Sequence, residues 1–259
     1  MSNTTRARPL TLFVALVAAT TAWAVSPRPA TAQATARTPA AATTATDSAL
    51  TARQQSIAPI GAAMASGDMT GLAAALNQGL DAGLTVSDAK EILVQLYAYA
   101  GFPRSLNALG ELMKVLDARK QRGIRDAPGR DAGPVPTGRE LLAVGTANQT
   151  KLAGAPVKGP LFEFAPAIDE YLKNHLFGDI FARDNLDWQS RELATVGALA
   201  ALPGVESQLL AHIRISMNVG LTAPQLRSVS EMLAERGQPE AARRAREALE
   251  KHLTPAASR

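Results

Sequence analysis

The sequence predicts an all-α fold built from two related halves. Three observations carry that prediction. Hydrophobic residues make up 46% of the chain but aromatic ones only 4%. That balance favours packed helices, because strands prefer β-branched and aromatic side chains. Apolar residues recur at helical spacing, as at Leu209, Ile213 and Met217. One stretch also occurs twice: GLTVSDAKEILVQLYAYAGFPRSLNAL from Gly83 matches GLTAPQLRSVSEMLAERGQPEAARRAREAL from Gly220. The offset is 137 residues up to the end of the first helix, then 136 at Gly101/Gly237 and Pro103/Pro239. Two copies of one helical unit are expected to pack with pseudo-symmetry.

Taken in order, the chain begins with Arg6 and Arg8 ahead of an apolar run from Leu10 to Val25, followed by small residues up to Ala32. This is the layout of a cleaved secretory signal, and it predicts a periplasmic or secreted protein with no stable membrane insertion after cleavage. Residues 33–50 are rich in Ala and Thr and read as a disordered leader. Residues 51–120 form the first repeat. Its clearest helix has capping-box-like spacing at Thr85 and Asp88, then a stripe of Ile92, Leu93, Leu96 and Tyr99, and ends at Gly101 and Pro103. Residues 121–160 are punctuated by Gly and Pro and read as a loop-rich linker or arm, with Leu141, Leu142 and Leu152 favouring the arm. The second repeat spans 161–253. There Asp187 is a plausible N-cap, and Leu193, Val196, Gly197 and Ala200 share one face whose small residues permit close helix contact.

The formal net charge of +4 falls to +1 once residues 1–32, with three arginines and no acid, are set aside. No nucleic-acid partner is expected from so small an excess. Arg243, Arg244 and Arg246 alternate with Glu240 and Glu247, as on a solvated helix face. The chain has no cysteine. Thiol nucleophiles, disulfides and Cys-ligated metals are therefore ruled out. His175, His212 and His252 lack metal-ligand spacing, so no metal and no cofactor are expected.

His212 is the informative histidine. It falls on the apolar stripe of its helix, with Ser216 one turn further on. It is either a hydrogen-bonded core residue or part of a site. The position matching it in the first repeat is Ala75. A purely architectural requirement could have appeared twice, so the asymmetry favours a site.

HIRISMNVGLT, preceded by FGDIFARDNLDWQSRELATVGALAAL, resembles the carboxymuconolactone decarboxylase family. So does AALNQGLDAGLTVSDAKEILVQLYAYAGFPRSLNAL in the first half. The likeness covers about Arg53 to Leu249. It implies an alkylhydroperoxidase D-like helical bundle that forms homo-oligomers. The peroxidase branch of that family uses a Cys-x-x-Cys pair, a histidine and a glutamate. Carried onto this chain, the cysteine positions are Val205 and Gln208, the histidine is His212 and the glutamate is Glu192. Both sulfurs are missing, so peroxiredoxin activity is disfavoured, because it needs a thiolate. The lactone decarboxylases also lack the pair and are the nearer model.

That model implies a cofactor-free lyase or isomerase acting on a small carboxylated or lactone substrate. His212 would be general acid/base and Glu192 its partner. Arg191 and Arg214 are candidates to hold a substrate carboxylate, and Tyr97 and Tyr99 to line a pocket. Each has a plainer reading. Glu192 and Arg191 sit near a helix start, where the acid complements the dipole. Arg214 lies on a different face from His212, and the tyrosines suit a core. A non-catalytic oligomeric binding module is the remaining alternative.

Overall fold

The computed structural model describes residues 49–254, and these are helical with no strand among them. The expected signal and most of the leader, at residues 1–48, lie outside the described residues. No described helix is long and apolar enough to cross a membrane.

The first half comprises α1 (Ala52–Gln55), α2 (Ile57–Ser66), α3 (Met69–Asp81), α4 (Val86–Gln95), α5 (Tyr97–Ala100) and α6 (Phe102–Gln121). The middle holds α7 (Gly138–Ala153), α8 (Pro160–Phe164), α9 (Pro166–Tyr171) and a π-helix (Leu172–Ile180). The second half follows as α10 (Trp188–Ala201), α11 (Glu206–Asn218), α12 (Ala223–Glu235) and α13 (Pro239–Leu253).

The repeat is visible in the caps. Thr85 accepts from the Asp88 N–H while Asp88 accepts from the Thr85 N–H, and Thr222 and Gln225 do the same 137 residues later. Each box satisfies two of the N–H groups that a helix start leaves unpaired. Asp187 caps α10, accepting from the Ser190 N–H at 2.8 Å, as its position predicts. The stripe from Ile92 to Tyr99 is less continuous than expected. It breaks after Gln95 and restarts as the single turn α5.

α2 and α10 cross at the centre. α2 is buried from Ile57 to Ala65 and α10 from Ser190 to Ala200, as suits helices surrounded on all sides. A Cβ on Gly61 would overlap the Ala194 carbonyl, and one on Gly197 would overlap the Ala58 carbonyl. Gly61 and Gly197 are 136 apart, and so are Ala58 and Ala194. The two contacts are therefore images of each other, which is what a two-fold relation between the halves requires. The small residues expected to permit close helix contact do so at this crossing.

The middle departs from the sequence reading. Residues 138–153 fold as α7, inside the stretch expected to be loop-rich. Packing outweighs weak propensity here. α7 lies on the π-helix, where a Cβ on Gly145 would overlap the Lys173 carbonyl, and Leu152 is fully buried. The preceding loop is tied to both of its neighbours. Its Ala127 and Pro128 carbonyls accept from the first two N–H groups of α4, at 2.9 and 3.0 Å. Further on, Arg130 pairs with Asp184 at 3.0 Å, just ahead of α10. The loop thus links the start of α4 to the second half.

Candidate active site

α10 and α11 place two titratable side chains together. Nδ1 of His212 lies 2.8 Å from Oε2 of Glu192. The glutamate side chain is fully buried and the imidazole is 10% exposed. An ionised carboxylate only accepts, so Nδ1–H donates and fixes the tautomer. Nε2 then carries the free lone pair. It has no hydrogen-bond partner among the described residues. This arrangement suits proton transfer at Nε2, with the carboxylate orienting the ring and able to stabilise an imidazolium.

Tyr99 completes the wall. Its ring meets the His212 ring edge-on at 5.3 Å between centroids. Burial, and then the Glu192 charge, push the Tyr99 phenol well above its ordinary range, and the nearby Thr195 hydroxyl only partly opposes this. The phenol therefore stays protonated.

The other expected site residues are not brought to the dyad. Arg191 is fully buried but reaches across to the first half. It donates to Oε1 of Glu91 and Oε1 of Gln95, both at 2.9 Å, and to the Arg183 carbonyl. Consecutive residues on a helix point about 100° apart, so Glu192 faces α11 while Arg191 faces α4. Nη1 and Nη2 of Arg191 are thus directed to the first half, away from the dyad, and its buried Nε is unpaired. Arg214 is exposed on α11, two residues from His212 and off its face, so it does not hold a ligand at the dyad within this chain. Tyr97 lies on the other side of α5 from Tyr99. It stacks on Phe102 at 4.3 Å and tilts against His175 at 5.5 Å.

Sequence reasoning missed the Glu91 network. Arg183 forks onto Glu91 with nitrogen–oxygen distances of 2.8 and 3.0 Å, and Asn185 donates to it at 3.0 Å. Burial alone would raise the Glu91 pKa, but the Arg183 hydrogen bonds, the Arg191 charge and Asn185 outweigh it and lower the value below 4.5. Burial pushes Arg191 down from its usual range, against the pull of Glu91. The available signal was Glu91 and Gln95, polar residues four apart inside an apolar stripe. A second imidazole–carboxylate pair, His175 with Asp179 at 2.7 Å, sits half-exposed on the π-helix and was also missed.

Among the described residues, no three His, Asp or Glu side chains gather as a metal cage. The described surface cavities, such as the one of about 650 Å³ over Gly123 to Asp126, are lined by other residues than the dyad.

The carboxymuconolactone decarboxylase family model matches residues 29–113 and 166–251, one match in each half. The chain belongs to the carboxymuconolactone decarboxylase family. The two matches follow the internal repeat, and the second contains both Glu192 and His212. No curated protein matches the chain. Within the family's chemistry this member has no cysteine with which to reduce a peroxide.

Proposed function

We propose that this carboxymuconolactone decarboxylase family member is a cofactor-free lyase or isomerase. Its substrate is a small lactone or carboxylated molecule. His212 moves a proton through Nε2 while Glu192 holds the ring. In a decarboxylation, the carbon–carboxylate bond breaks, carbon dioxide leaves, and the electron pair spreads into the neighbouring unsaturated carbonyl. Nε2 of His212, having first taken a proton from water, delivers it to that carbon and regains its lone pair. In an isomerisation, the same nitrogen removes a proton beside the carbonyl and returns it elsewhere. The observation that supports this reading is the 2.8 Å Nδ1–Oε2 contact with Nε2 left free.

The protein acts outside the cytoplasm, in keeping with the signal-like segment at residues 1–32, and as a homo-oligomer. Phe102, Leu106 and Met113 line one face of α6 and are exposed, whereas Ala242 and Leu249, which match Leu106 and Met113 in α13, are buried. An apolar face left open in only one half suits contact with another copy.

The test is solvent-deuterium exchange and carbon dioxide release across a panel of unsaturated lactone acids. His212→Ala is expected to lower the rate about 100- to 10,000-fold, with Glu192→Gln intermediate. Activity that persists in His212→Ala would refute the proposal. Binding without turnover of any panel member would favour the non-catalytic module.

A further inference from the structure

Three buried polar atoms beside the dyad have no hydrogen-bond partner among the described residues: Oε1 of Glu192, the Tyr99 hydroxyl and the Ser216 hydroxyl. Folded proteins rarely leave such atoms unpaired. Glu192 is bonded to His212 and the Tyr99 ring abuts it. Ser216 is fully buried on α11, one turn beyond His212 and on the same face.

The first half shows where Ser216 points. Its counterpart is Gly79, and the counterpart of Glu192 is Ser56. A Cβ on Gly79 would lie 3.3 Å from Oγ of Ser56. By the pseudo-two-fold, Ser216 faces Glu192. No hydrogen bond joins the two, so Oε1 of Glu192 and the Ser216 hydroxyl are both left unpaired on this side of the dyad.

The chemistry of the walls selects the occupant. Glu192 offers an acceptor. The Tyr99 phenol, held protonated, offers a donor, and Ser216 can do either. Nη1 and Nη2 of Arg191 are taken by Gln95 and Glu91, and its buried Nε is left unpaired. A carboxylate between these groups would face the Glu192 charge, whereas a hydroxyl can donate to it. We propose that Glu192, Tyr99 and Ser216 form a niche for a neutral hydroxyl of the ligand, alcohol or enol. That hydroxyl donates to Oε1 of Glu192 and accepts from Tyr99, and carboxylates are turned away at this position. The inference rests on the proposed function only in taking the His212 dyad as the ligand site.

The experiment is an NMR titration of the full chain, following the His212 ring nitrogens. The probes are α-hydroxy-γ-butyrolactone, γ-butyrolactone and γ-butyrolactone-3-carboxylate. The hydroxylactone is expected to bind roughly ten-fold more tightly than the plain lactone. That advantage should vanish in Tyr99→Phe and in Ser216→Ala, whose folding is checked by thermal melting. Tighter binding of the carboxylate, a hydroxyl preference that survives both variants, or unmoved His212 signals with all three probes would overturn the niche. Hydroxyl preference without turnover would uphold it while acid–base catalysis fails. His212-dependent turnover without hydroxyl preference would do the reverse.

Discussion

The two halves share a fold and differ in where they bury polarity. In the second half, α10 and α11 enclose Glu192 and His212. At the matching positions of α2 and α3 stand Ser56 and Ala75, and Ser56 merely donates to the Arg53 carbonyl. The interface between halves is equally lopsided. On one side Glu91 of α4 meets Arg191 of α10 at 2.9 Å. The pseudo-equivalent residues are Ser228 and Gln55, which each bond locally, to the Gln225 and Leu50 carbonyls. The caps and the central crossing are duplicated, while the buried ion pair and the dyad occur once. The helical frame is present in both copies, while the histidine–carboxylate pair stands in one. That is the pattern expected if a repeat supplies a scaffold and a single site supplies function.

The comparison can be broken most severely at Arg191. Arg191→Met leaves Glu91 with only its other partners and is expected to cost about 3–5 kcal/mol, read from chemical denaturation. Gln55→Met, at the pseudo-equivalent position, should cost far less. The pair also sets a pH limit. The Glu91 pKa is lower folded than unfolded. Its stabilisation is therefore complete above the ordinary carboxylate range and is lost as pH falls through the lowered value. Glu91→Gln should flatten that acid limb of the stability curve.

The crossing gives a prediction of symmetry. Gly61→Ala and Gly197→Ala both force a methyl onto a backbone carbonyl and should each cost about 1–3 kcal/mol. A large difference between them would argue against the two-fold. Transplanting the dyad is a sharper test. Ala75→His buries an unpaired imidazole and should cost about 1–3 kcal/mol. Adding Ser56→Glu should recover part of it, and the double-mutant cycle measures the coupling. No coupling would mean that the two halves are out of register at the site. The smallest effects lie at the caps, where Thr85→Ala and Thr222→Ala should each lower stability by about 1 kcal/mol, equally in a thermal melt.

Much of this was legible in the residues. Gly-Leu-Thr, the capping pairs and the Gly-x-Pro breaks repeat, so the halves and their order could be read directly. His212 was legible because the imidazole falls on an apolar stripe in one copy only, and Glu192 as its partner came from the family resemblance. α7 was not, since its Gly138, Gly145 and Thr146 favour no helix until the π-helix is there to pack against. The direction of Arg191 was not legible, because it lies about 100° round α10 from its sequence neighbour Glu192 and reaches α4 instead. The split between Tyr97 and Tyr99 has the same origin. Two residues apart on one helical turn, they face opposite ways, one toward Phe102 and His175, the other toward His212.

That Arg191 and Glu192 are neighbours on α10 has a mechanical consequence. The rod is gripped at two azimuths, by α4 on one flank and by α11 on the other, and the glycine crossing leaves it no slack. It cannot roll to shorten one attachment without lengthening the other. Loosening the grip at Glu91 should therefore misalign the imidazole on the far flank, although the two share no atom in contact.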